Sequence, residues 1–377
     1  MKSLKKTTLA SLVGAAALAT AGAANATIVV GGENGYEFSV DGNINQFFVH
    51  TDADNASDNI NEVRNGLLPT FFGFNVSAPE INGLKIGARV SISPSTNGTS
   101  YVAGGDQNAM EQREAFATVE GSFGQVLMGK ALGLYGSHNI LTEQTLYGVG
   151  YGTGNNGQTT LGGIGFGYDY ADWRSQFRYT TPDMNGFKAA FAVVDSAGPA
   201  VNLGPGPTGP IGDNSDSEDL RYEADLSYAG AFDSGSYMLW LSGVTQQQDD
   251  LDDDHRAWTV GGTLKVSGFE FMAQYSDAEN SYAQSANPLV DDSVEYDQYV
   301  VQAGYRFAGT TLVSANYSEL KDDSPSVGSD DTAERITAGI YHDVNSNLKL
   351  VAEYTKIEND AETIDADIFA LGGFVTW

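Results

Sequence analysis

Residues Trp173–Thr181 read WRSQFRYTT. Trp173, Phe177 and Tyr179 fall in one phase of a two-residue period, and Arg174, Gln176, Arg178 and Thr180 in the other. Successive side chains of a β-strand point to opposite faces, so this stretch reads as a strand with one apolar and one cationic, polar face. The pattern recurs on either side. Leu84, Ile86, Ala88, Val90 and Ile92 oppose Lys85, Arg89 and Ser91; Phe187, Ala189, Phe191 and Val193 oppose Lys188; Tyr222, Ala224, Leu226 and Tyr228 oppose Arg221, Glu223, Asp225 and Ser227. Further on, Trp258, Val260, Leu264 and Val266 oppose Thr259, Thr263 and Lys265, and Phe269, Phe271, Ala273 and Tyr275 oppose Glu270, Gln274 and Ser276. Each run is about the length that a tilted strand needs to cross a bilayer.

Connections between the runs alternate in length. Pro182–Gly186 (PDMNG), Ser267-Gly268, Ala308-Gly309 and Asp343–Asn347 (DVNSN) are short and carry the residues of tight turns. Between them lie long polar stretches: Thr51–Asn65, Pro94–Gln112, Asp195–Asp219, Gln246–His255, Ala278–Val294, Lys321–Ala333 and Glu358–Thr363. Short turns at one end and long loops at the other are the habit of a membrane barrel. Strand starts near Tyr36, Phe71, Leu84, Arg113, Phe123, Trp173, Phe187, Leu220, Ser236, Arg256, Phe269, Tyr296, Thr310, Glu334, Leu348 and Asp365 predict sixteen antiparallel strands. A barrel of that size is wide enough for an aqueous lumen, whereas one of eight strands is filled by side chains.

The start of the chain fits an exported protein. Lys2, Lys5 and Lys6 precede an apolar, Ala-rich stretch from Leu9 to Ala23 and the small-residue triplet Ala24-Asn25-Ala26, the three-part plan of a secretory signal peptide. Cleavage after Ala26 leaves residues 27–377 as one barrel domain. A net charge of −30 argues against nucleic acid as a partner. With no cysteine there is no disulfide framework and no thiolate metal site. Past the signal no run approaches the length of an apolar transmembrane helix, and the mean hydropathy is −0.24.

Charge follows phase. Lys85, Arg89, Arg113, Arg174, Arg178, Lys188, Arg221, Lys265, Arg306, Arg335 and Lys349 are all read on the polar phase of their strands. A cation facing lipid near the midplane costs about 2–4 kcal/mol, so this confinement supports the barrel. A soluble β-sandwich alternates too, and alternation alone does not say which face is wet. Acidic residues gather in the long connections instead: Asp52, Asp54, Asp58 and Glu62; Asp213, Asp216, Glu218 and Asp219; Asp249–Asp254 (DDLDDD); Asp322, Asp323, Asp330 and Asp331; Glu358, Asp360 and Glu362. Such loops read as solvated, or as holders of divalent cations that bridge to anionic lipopolysaccharide; none has EF-hand spacing.

Three segments resemble the general bacterial porins of Gram-negative outer membranes. Arg113–Gly133 (REAFATVEGSFGQVLMGKALG) is similar to the family's Arg-led strand, short Gly-Phe-Gly turn and Gly followed by a basic residue. Phe177–Phe187 (FRYTTPDMNGF) resembles its sixth strand and the turn after it. Phe369–Trp377 (FALGGFVTW), with Phe369, Leu371, Val375 and Trp377 in one phase, is similar to the C-terminal signal read by the barrel-assembly machinery. The resemblance implies a homotrimer and a third long loop, here Ala131–Asp172, folded into the lumen as a constriction, its carboxylates facing a basic ladder. The Gly-rich core of that loop suits such a bend. By carry-over Arg113, Lys130 and Arg178 belong to the ladder; Arg89 and Arg174 join it by phase. The family's acidic loop segment is absent, which leaves Glu143, Asp169 and Asp172 as the constriction acids.

These readings predict a passive channel for ions and small hydrophilic solutes, without cofactor or metal. An oligosaccharide-specific porin is the variant, with Tyr341, Tyr135, Tyr147 and Tyr151 as stacking candidates. A surface adhesin or lectin with acidic loops is the alternative from another class. None of His50, His138, His255 and His342 sits in a nucleophile or metal motif, and Gly148-x-Gly150-x-Gly152 lacks the βαβ context of a phosphate loop, so no enzyme is expected.

Overall fold

The computed structural model describes residues 28–53, 59–66, 70–94, 96, 110–145, 163–195, 220–247, 254–279, 295–322, 331–360 and 365–377. Its strands are β1 (Ile28–Gly31), β2 (Glu37–Ala53), β3 (Ile60–Arg64), β4 (Phe71–Ser77), β5 (Lys85–Pro94), β6 (Met110–Glu111), β7 (Ala115–Gly121), β8 (Gly124–Leu132), β9 (Trp173–Thr180) and β10 (Phe187–Val194). There follow β11 (Arg221–Phe232), β12 (Gly235–Gln246), β13 (His255–Val266), β14 (Phe269–Glu279), β15 (Glu295–Phe307), β16 (Thr311–Asp322), β17 (Asp331–Asn345), β18 (Leu348–Asn359) and β19 (Ala366–Thr376). A six-residue helix, α1 (Ser137–Thr142), lies in the β8–β9 connection.

Each wall strand pairs antiparallel with its neighbour in sequence, and β19 pairs back onto β2 from Ala366↔Ala53 to Thr376↔Asn43, which closes the sheet. β3 and β4 lie along the same edge of β2, opposite residues 47–51 and 37–43, and form one interrupted wall strand. With the short β1 and β6 left aside, the wall has the expected sixteen strands. Two expectations change in detail. The stretch Thr51–Asn65 is not all loop, because β2 runs on to Ala53 and β3 returns along it; Met110 and Glu111, placed in a loop, pair with Pro94 and Ser93.

The short turns are tight hairpins. Asn185-Gly186, Ser267-Gly268 and Ala308-Gly309 each have positive φ at both residues, the backbone that matches the right-handed twist of the flanking strands. At the closing seam Gly42 and Trp377 exchange both backbone hydrogen bonds, at 3.0 and 3.1 Å. A Cβ on Gly42 would stand 2.7 Å from the Trp377 ring, so only glycine fits beneath that indole. β1 occupies the same edge of β2 just beyond, with Ile28 opposite Val40.

The apolar phase faces outward: Phe177, Leu241, Phe271, Val301, Ile340 and Leu371 are all exposed. Trp173 keeps the register of that phase but is buried, packed on Leu132 and Ala171 at the start of β9. The inward phase is not uniformly polar. Met272, Val300, Leu312, Val351, Ile357, Ile368, Phe374 and Phe47 form one buried cluster there with Ile140, Ile164, Phe166 and Tyr168 of the β8–β9 connection. An apolar stripe inside a barrel is stable only where something apolar covers it.

Candidate constriction

The β8–β9 connection is tied to the inward face along its whole described length. At its entry, Gln176 Nε2 donates to Ala131 O at 2.8 Å, Arg178 Nη1 donates to Leu132 O at 3.3 Å, and Glu223 accepts from Leu134 N at 2.6 Å. Glu223 also takes the Arg221 Nε at 2.6 Å. In α1, Asn139 donates to Thr259 Oγ1 at 2.8 Å and accepts from the Trp240 indole at 3.2 Å. The Gln144 amide nitrogen Nε2 then reaches Glu270 at 2.7 Å, and its backbone N–H reaches Gln302 at 2.7 Å.

Two carboxylates hold the remainder. Glu143 Oε1 receives both terminal nitrogens of Arg335, at 2.9 and 2.8 Å, and Asn316 Nδ2 at 2.8 Å; its other oxygen takes the Tyr168 hydroxyl and Gly163 N. Both side chains of the Glu143–Arg335 pair are wholly buried. Burial and the adjacent Glu143 charge push the Tyr168 phenol well up. Asp169 accepts from Tyr135 at 2.6 Å, Tyr296 at 2.8 Å and Gln298 at 2.8 Å. Burial raises the Asp169 carboxyl above its ordinary value, against the pull of those three donors and the Arg221 charge. Both limbs of the connection, 133–145 and 163–172, are thus bonded to inward-facing residues of β11 to β17.

The expected basic residues do not form one free ladder. Arg89 is 4% exposed and spans Asp41 and Glu114, each at 2.7 Å, with its guanidinium 5.8 Å from the Phe71 ring centre. Arg113 is buried just ahead of β7, outside the strand that was to set its phase. Arg174 meets Asp172 at 3.2 Å. Arg178 donates to a carbonyl and has no carboxylate within salt-bridge distance among the described residues. Lys130 is a correction. Its register partners are Ala115 and Ser175, alternating with the inward pair Gly129 and Gln176, so it shares the outward phase of Met128 and Phe177. Carry-over from a motif placed it inward because the motif was matched without counting alternation. Arg335, the partner of Glu143, was assigned inward by phase but not to the constriction; nothing local to β17 announces a partner 192 residues away. Of the assembly-signal residues, Phe369, Leu371 and Val375 are exposed on the outward phase, and the Trp377 ring lies 5.2 Å from Phe72. Residues 1–26, Tyr147, Tyr151 and most of the loop acids, among them Asp54, Asp58, Asp213, Asp216 and Asp249, lie outside the described residues.

A closed sixteen-stranded antiparallel barrel, largely apolar outside and carrying most of its strand cations inside, defines an outer-membrane channel protein. The model of the family described as Gram-negative porin matches residues 11–362, and the chain belongs to that family. None of the curated proteins compared matches it. Among solved structures it is similar to the anion-selective porin from Comamonas acidovorans, at 17% identity and a TM-score of 0.64, covering 91% of this chain and 100% of that one. OmpF of Salmonella typhi in complex with daunomycin is similar at 15% identity and a TM-score of 0.66, over 91% and 98%. The trimer form of OmpT from Vibrio cholerae is similar at 15% identity and a TM-score of 0.58, over 91% and 100%. These likenesses establish the fold, and with the family they make the chain an outer-membrane diffusion channel.

Proposed function

We propose that the channel passes ions and small hydrophilic solutes by passive diffusion, and that residues 133–145 and 163–172 lie within the lumen and form its narrowest part. The observation that carries this reading is the buried Glu143–Arg335 pair, which joins the connection after β8 to the inward face of β17. Two carboxylates of the connection are already engaged, Glu143 by Arg335 and Asp172 by Arg174, whereas Arg178 carries a cation without a close carboxylate. Selectivity then follows the wall charge that remains at the narrowest point. Replacing Arg178 and Arg113 together by Gln should shift the reversal potential in a planar bilayer under a salt gradient toward cations. An unchanged potential would remove both from the constriction, and absence of discrete ohmic steps would remove the channel reading itself.

The oligosaccharide variant is less well supported. Tyr341, Tyr135 and Tyr296 are each about 98% buried or more, and Tyr341 is engaged with Glu353 at 2.7 Å, so their faces are not open to a sugar ring. Cleavage after Ala26, trimer assembly, recognition of Phe369, Leu371, Val375 and Trp377 by the barrel-assembly machinery, and contact with lipopolysaccharide complete the proposal. The similarity to a trimeric relative supports the third-order symmetry, and heat-sensitive migration on gels tests it.

A further inference from the structure

His138 stands apart from the other ties of the connection. It lies in α1 with its side chain 21% exposed, and Nε2 is 3.1 Å from Oδ2 of Asp225 on β11 and 3.3 Å from Oδ1. Its ring stacks on Trp240 of β12, centre to centre 5.6 Å, with the planes 28° apart. Asp225 is 7% exposed and Oδ2 has no well-aligned hydrogen-bond donor among the described residues, so the imidazole is the group placed to satisfy it. The other charged groups facing this site are Glu223 on β11 and Arg178 on β9. Glu223 is engaged by Leu134 N and Arg221, and Arg178 by Leu132 O, from where its charge acts on both carboxylates.

Histidine is the side chain whose charge changes between pH 5 and 8. A protonated imidazole here gains twice over: its hydrogen bond to a buried carboxylate becomes charge-assisted, and a cation comes to lie on an indole face. We infer that His138, Asp225 and Trp240 form a proton-operated clasp that fastens α1 to the wall in acid and loosens it at neutral to alkaline pH. The proposal rests on residues 133–145 lying in the conducting path, and its test separates the two claims.

The spectroscopic arm needs no conductance. A protonated imidazole in contact with an indole quenches its emission, so in detergent-solubilised protein the fluorescence assigned to Trp240, taken as the difference between the wild type and Trp240→Phe, should fall from pH 8 to pH 5. The fall should vanish in His138→Gln, and Asp225→Asn should move its midpoint to lower pH. In single-channel records, brief closures should become about five-fold rarer over the same range in the wild type and stay frequent at both pH values in His138→Gln. A Trp240 difference signal that is flat with pH, or equally pH-dependent in His138→Gln, overturns the clasp. A pH-dependent fluorescence change with closures that ignore pH keeps the contact but overturns its effect on the channel, and loss of all conductance steps points to the proposed path instead.

Discussion

Glu143 and Arg335 show how much a single pair can hold. Truncating one member leaves a buried charge uncompensated, which costs about 3–5 kcal/mol, whereas an apolar pair of similar volume is often neutral or better. Glu143→Ala should therefore lower the thermal unfolding midpoint of the detergent-solubilised barrel markedly, and Glu143→Leu with Arg335→Met should recover most of the loss. Recovery failing in the double variant would mean that the hydrogen bonds of Asn316 and Tyr168 matter more than the charges. At Ala308 the backbone is held at φ 49°. A residue with a Cβ is strained there by about 1 kcal/mol, and asparagine tolerates the conformation better. Ala308→Asn should raise the unfolding midpoint slightly, measured by the heat at which compact gel migration is lost. Lys130 carries the lesson of this scale. A local motif can name a residue's type and company, but only the count of alternation assigns its face.

At the level of elements, the strands were legible because lipid favours an apolar side chain at every second position over most of each strand. Leu241 and Thr263 test it on adjacent strands. Leu241→Arg, on the exposed outward phase of β12, should cost about 2–4 kcal/mol near the midplane, whereas Thr263→Arg, inward on β13, should leave folding near wild type. Equal yields of folded barrel from both would contradict the phase assignment. The connection after β8 was legible only in part. Its glycines foretold unusual backbone, yet its anchors pair residues more than a hundred positions apart, such as Asn139 with Thr259 and Glu143 with Arg335. The apolar inward stripe of Met272, Val300 and Leu312 has no local signal, because its covering residues, Ile164 and Phe166, belong to a distant segment. The break between β3 and β4 and the two-residue β6 are too short to show a period in the sequence.

For the whole molecule, closure follows from sixteen strands whose register runs without a free long edge, so the sheet offers neighbouring molecules no template for strand addition. Among the described residues the seam between β19 and β2 is the one wall pairing formed by segments far apart in sequence, with more than three hundred residues between Ala53 and Ala366. Its geometry has a consequence for connectivity. Along one edge of β2, Trp377 stands opposite Gly42 and Ile28 opposite Val40, both running antiparallel to β2, with a single position between them. The two segments therefore lie in line as though they were one strand. A gene in which Trp377 is joined to Ile28 through one residue, with the chain opened instead between Ser267 and Gly268, should encode a barrel of unchanged conductance once folded in detergent. If that permuted chain reached the bilayer with a different unit conductance, the seam would be a hinge and not a continuation. If the conductance matches, the barrel has no privileged first strand: its order is that of a ring, and the point where the chain is cut is incidental to the pore it encloses.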